Sequence, residues 1–165
     1  MNRLAPVVFL VGIMAQSCTA GQPQAPTGMP DVGIPAEGMN SEVRVITPDG
    51  WNTYEINDRV ALEVEVIGSE HVIFPSDFGA RVFANVDDQW VEVSLLPPAR
   101  PRQGQFLLSP SHGDPFERGE AIVYPILEES DRPVLIRVFV IGNIYQDGQT
   151  TDTRVAAYAD VTLRP

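Results

Sequence analysis

The sequence contains no lysine; all 11 of its basic residues are arginine. That absence excludes Schiff-base catalysis and the phosphate-binding lysine of P-loop enzymes. Acidic residues number 22, twice the basic ones, and the formal net charge is -11. So acidic a chain is a poor electrostatic match for DNA, RNA or anionic lipid, and no nucleic-acid partner is expected. Cysteine occurs once, at Cys18, which excludes an internal disulfide and leaves stability to core packing. The two histidines, His71 and His112, lack His-x-x-x-His spacing, so a zinc site is not expected. No apolar run reaches the roughly 20 residues that a membrane-spanning helix needs.

The apolar run that does occur opens the chain. Met1 to Arg3 form a short positive start, and Leu4 to Ala15 are apolar apart from Pro6 and Gly12. A charged start, a short apolar run and a small residue before the break make up an export signal. Ala15-Gln16-Ser17-Cys18 resembles the lipobox of bacterial lipoproteins. The resemblance implies that residues 1–17 are a signal peptide and that Cys18 is lipidated, which would hold the chain to the outer face of a bacterial membrane. Two acyl chains hold far better than one. The alternative is an ordinary cleaved signal, or an uncleaved anchor, with Cys18 incidental.

Residues 18–41 are rich in Pro, Gly, Ala and small polar residues and show no apolar period. Such a segment buries too little surface to offset the entropy of ordering it, so it reads as a disordered tether. Met29, Val32, Ile34 and Met39 are its only docking candidates.

From residue 42 to 165 the pattern is that of strands. Val60, Leu62, Val64 and Val66 alternate with Ala61, Glu63 and Glu65, which is a half-buried strand. Val155, Ala157, Ala159, Val161 and Leu163 repeat the pattern, with Arg154, Tyr158, Asp160 and Thr162 on the other face. Val134–Ile141 is nearly all apolar, as a central strand covered on both faces must be. Arg137 interrupts it; its stem can lie on apolar surface while its head reaches an acid or solvent. Further strands are expected at 43–47, 71–74, 80–86, 90–95, 105–108 and 121–127. Turn signals separate them at Pro48-Asp49-Gly50, Gly68-Ser69, Asp87-Asp88 and Asp147-Gly148. The expected fold class is therefore all-β, a two-sheet sandwich of about 7–9 strands. The run Asn57 to Val66, followed by Phe74, Phe83 and Trp90-Val91-Glu92-Val93, resembles bacterial immunoglobulin-like lipoprotein domains. That resemblance implies an immunoglobulin-like sandwich and a binding, assembly or proteinase-inhibitor role.

The chemistry-bearing residues form no catalytic motif. Ser109-Pro110-Ser111-His112-Gly113-Asp114 sets Ser, His and Asp side by side, but triads are assembled from distant segments. Pro and Gly make this stretch a loop. Asp87-Asp88 and 147–152 hold enough acids to suggest calcium, yet no Glu closes a twelve-residue frame, and Asp and Gly are what hairpin turns need. No cofactor is expected. The most unusual stretch is 97–104, Pro-rich and bearing Arg100, Pro101 and Arg102. A pre-extended segment loses little entropy on docking, which makes it a candidate partner-binding loop. Its alternative is a stiff connection between sheets. The expectation is a non-catalytic, lipid-anchored envelope module, with an exposed inhibitory loop (97–104 or 109–118) or a secreted hydrolase as rivals.

Overall fold

The computed structural model describes residues 28–48, 52–97, 104–112, 114, 117–128 and 130–165. Its strands, in chain order, are β1 (Val43–Ile46), β2 (Thr53–Glu55), β3 (Val60–Val66), β4 (His71–Pro75), β5 (Arg81–Val86), β6 (Gln89–Val93), β7 (Gln105–Leu108), β8 (Gly119–Val123), β9 (Val134–Gln146) and β10 (Gln149–Arg164). They form an all-β sandwich of two sheets. The small sheet has the order β1-β3-β8, antiparallel throughout. The large sheet is built on the β9–β10 hairpin, with β2 beside β10 and with β4 and β5 in succession beside β9.

Alternation assigns the faces as expected. Val60, Leu62, Val64 and Val66 of β3 are fully buried and meet Ile136, Val138 and Val140 of β9 between the sheets. Each such side chain, fully buried, contributes about 1.5–3 kcal/mol. Two tight turns follow the acidic signals. Asp87 and Asp88 have φ of 49° and 62°, and Asp147 and Gly148 have 52° and 77°. Two consecutive residues in the left-handed region make the turn whose twist suits a two-residue hairpin. Asp77-Phe78-Gly79 bends the path between β4 and β5. The Ile141 N–H donates to the Phe78 carbonyl at 2.9 Å, and a Cβ on Gly79 would stand 2.6 Å from the Ile141 carbonyl oxygen.

Three features differ from the sequence reading. Ten strands stand among the described residues where 7–9 were expected, β2 being the one that went unrecognised. The closing hairpin is longer than expected, reaching Gln146 and starting again at Gln149. The third concerns the tether. From residue 28 onward the segment assigned to a disordered linker lies across the outer face of the large sheet, so the ordered unit begins well before 42. Val32 is 4% exposed and clusters with Phe83, Phe139, Ile141 and Ala156, with Ile34 and Met39 beside it. A 3₁₀ turn at Ala36–Gly38 carries the chain to the β10 edge, where the Asn40 N–H donates to the Ala156 carbonyl at 2.7 Å. The physical reason is the two-faced apolarity of β9. Phe139 and Ile141 point away from the sandwich core and need cover, and this strap supplies it. Composition alone does not reveal such a non-local demand.

Candidate functional site

Where β2 meets the end of β10, the flank of the sandwich is concave. A groove of about 900 Å³ is lined by Pro48, Thr53, Tyr54, Asp58, Arg59 and Arg164, among others. Its floor is fixed by Tyr54, whose hydroxyl donates to the Ala61 carbonyl of β3 at 2.8 Å and ties the large sheet to the small one. Burial pushes the Tyr54 phenol above its ordinary value, so it stays a neutral donor. The turn after β2 is closed by the Asp58 N–H on the Glu55 carbonyl at 3.1 Å, and Asn57 there has φ 66°. That turn carries Asp58 and Arg59 to the groove wall.

Two ionic groups elsewhere are buried. Glu65 points outward from β3, as alternation requires, yet is 1% exposed, with Ser111, Arg44 and Arg118 against its carboxylate. The Ser111 hydroxyl donates to Glu65 Oε1 at 2.5 Å, and Arg44 Nη2 donates to Oε2 at 2.7 Å. Arg118 lies alongside, its Nη1 donating to Glu63 at 2.6 Å and its Nε 3.7 Å from Glu65. The Ser111 and Arg44 hydrogen bonds outweigh burial and hold the Glu65 carboxyl below its ordinary value. On the opposite face Arg137 is 7% exposed. Its Nε and Nη2 donate to the two carboxylate oxygens of Asp160 at 2.6 and 2.7 Å. Its guanidinium lies 4.6 Å from the Trp90 ring and 4.2 Å from the Tyr158 ring. Burial disfavours this charge, but the hydrogen bonds and charge of Asp160 outweigh it and raise the Arg137 pKa. The expectation that the Arg137 head reaches an acid therefore holds. Trp90 is a sheet-face residue, and its indole N–H donates to the Gly28 carbonyl at 3.2 Å.

The sequence-predicted sites fare unevenly. Cys18, Arg100, Pro101 and Arg102 lie outside the described residues. In the Ser-His-Asp stretch, Ser111 is 2% exposed and bonded to Glu65, whereas His112 and Asp114 face solvent. The Asp114 N–H closes a turn on the Ser111 carbonyl at 2.7 Å, consistent with the loop reading. Sequence reasoning missed the groove and the Glu65–Ser111 bond. The two partners of that bond are 46 residues apart, and no local pattern links them. Among the described residues no cluster of three or more His, Cys, Asp or Glu is placed to hold a metal ion, and no helix is long and apolar enough to cross a membrane. No family model, curated protein or solved structure matches this chain.

Proposed function

We propose that the chain is a non-catalytic binding or assembly module of immunoglobulin-like type, exported and held on the outer face of a bacterial membrane by lipid on Cys18. The observation that carries the binding reading is the groove beside β2, a solvent-open concavity walled by charged and hydrogen-bonding groups. The buried ionic groups serve a different purpose. Glu65 and Arg137 are occupied by their own chain, one fastening a loop to the small sheet and the other joining β9 to β10. The leader, with its sole cysteine after the apolar run, supports the anchor. An envelope protein is the partner class, with no cofactor and no nucleic acid.

Two experiments test this. Mass analysis of the mature N-terminus is expected to find a diacylated Cys18; an unmodified cysteine or cleavage elsewhere refutes the anchor. Affinity capture by the full chain from its own envelope is expected to retain a protein partner, and loss of nothing but lipid contacts on extraction would refute the module. A second reading, a proteinase inhibitor, is favoured by one observation. Ser111 is fastened to Glu65 while its neighbour His112, at φ 47°, is displayed to solvent. A pre-organised exposed loop is what inhibition requires. Inhibition across a protease panel would establish that reading, and none would dismiss it.

A further inference from the structure

β2 lies parallel to the end of β10, with Thr53 opposite Thr162 and Glu55 opposite Arg164. The Thr162 N–H donates to the Asn52 carbonyl, and the Ile56 N–H donates to the Arg164 carbonyl, both at 2.7 Å. In a parallel pair every second residue turns its N–H and C=O toward the partner strand. Residues 52, 54 and 56 therefore face β10, and the N–H groups of Thr53 and Glu55 face the other way. β2 is the terminal strand of its sheet, so no strand of the described residues receives them. Thr53 and Glu55 both line the groove.

Two guanidinium groups share that groove, those of Arg59 and Arg164. Arg44, Arg81, Arg118 and Arg137 each hold a carboxylate within 4.0 Å. Among the described residues neither Arg59 nor Arg164 is in an ion pair, although acids outnumber bases 22 to 11 in this chain. Arg132 and Arg154 are likewise in no ion pair among the described residues, and what sets Arg59 and Arg164 apart is their place together on the wall beside an open strand edge, where an incoming anion can reach both. Glu55 and Asp58 line the same groove and would repel a polyacidic ligand.

We infer that the groove binds an extended peptide that adds as a strand to the open edge of β2 and carries one carboxylate side chain between neutral residues. Resting on the binding-module reading, this names the chemistry of its partner. The peptide carbonyls accept from the Thr53 and Glu55 N–H groups, which stand two residues apart as alternate groups of an extended strand do. Its carboxylate accepts from Arg59 and Arg164, a geometry for which the planar guanidinium is suited.

The test uses the full chain and three fluorescein-labelled peptides, Thr-Val-X-Val-Thr with blocked termini, where X is Glu, Gln or Lys. Anisotropy titrations are expected to show the Glu peptide binding about tenfold tighter than the Gln peptide, the worth of one charge-assisted hydrogen bond, and the Lys peptide weakest. Thr53→Pro removes an outward N–H without touching a bond to β10, and is expected to weaken all three peptides alike. Arg59→Ala combined with Arg164→Ala is expected to abolish the preference for Glu over Gln. Equal binding of the three peptides, no binding of the Glu peptide, or arginine variants that keep the preference would overturn the inference. Envelope capture separates the two levels. If a chain changed at Thr53, Arg59 and Arg164 retains the same envelope partner, this site is wrong and the broader reading stands.

Discussion

Replacing Ser111 by Ala tests whether Glu65 fastens Ser111 to the small sheet. The hydroxyl stands 2.5 Å from Glu65 Oε1, and the two residues are 2% and 1% exposed. A hydrogen bond to a charged group contributes about 1.5–3 kcal/mol, and the carboxylate keeps only part of its compensation, from Arg44 at 2.7 Å and Arg118 at 3.7 Å. The expected loss at pH 7 is thus about 1.5–3 kcal/mol, or roughly 6–12 °C in Tm for a domain of this size. The pH dependence has a definite sign. The folded carboxyl titrates below its ordinary value of 4.5, so its stabilisation is complete above that value and is lost as the pH falls through the depressed one. Ser111→Ala lessens the depression. Its penalty is therefore full at pH 7 and narrows as the pH falls through the depressed folded value, where Glu65 protonates in the folded state as well. Urea unfolding followed by tryptophan fluorescence at pH 7 and along a descending pH series measures both quantities. A penalty under about 0.5 kcal/mol at pH 7, or one of constant size down to the acid limit of folding, would refute the reasoning.

Three further outcomes are expected. Arg137→Ala takes the guanidinium from Asp160, which is a third exposed and regains water, and the cation from the Trp90 ring, and should cost about 1.5–3 kcal/mol with a shift in tryptophan emission; a loss below about 0.5 kcal/mol would mean that the pair is dispensable. Gly142→Ala would put a Cβ 2.7 Å from Val72 Cγ1 and 2.9 Å from the Ile73 carbonyl oxygen, at the end of the β4–β9 pairing, so overpacking should cost about 1–3 kcal/mol by thermal melting. Deleting residues 28–40 uncovers Phe139 and Ile141 and forfeits Val32, worth about 1.5–3 kcal/mol, so Tm should fall and a hydrophobic dye should bind; an unchanged Tm would return that segment to the status of a linker.

What the sequence determined by itself is whatever depends on near neighbours. Alternation along β3 and β10 fixed which side chains face the core, because successive residues of a strand must point to opposite faces. Asp87-Asp88 and Asp147-Gly148 fixed two hairpin turns, because those residue types accept positive φ at low cost. Arg137 within an apolar strand announced a buried charge in search of an acid. Tertiary structure decided the rest. β2 has three residues and no visible period, and exists because the end of β10 pairs with it. Residues 28–40 are ordered because a distant strand, β9, is apolar on the face they cover. Glu65 was legible as outward-facing, but its burial depends on a loop that returns 46 residues later. The groove likewise joins Arg59 to Arg164 across more than half of the chain. Contacts of that kind arise from how the two sheets meet, and no short window of sequence encodes them.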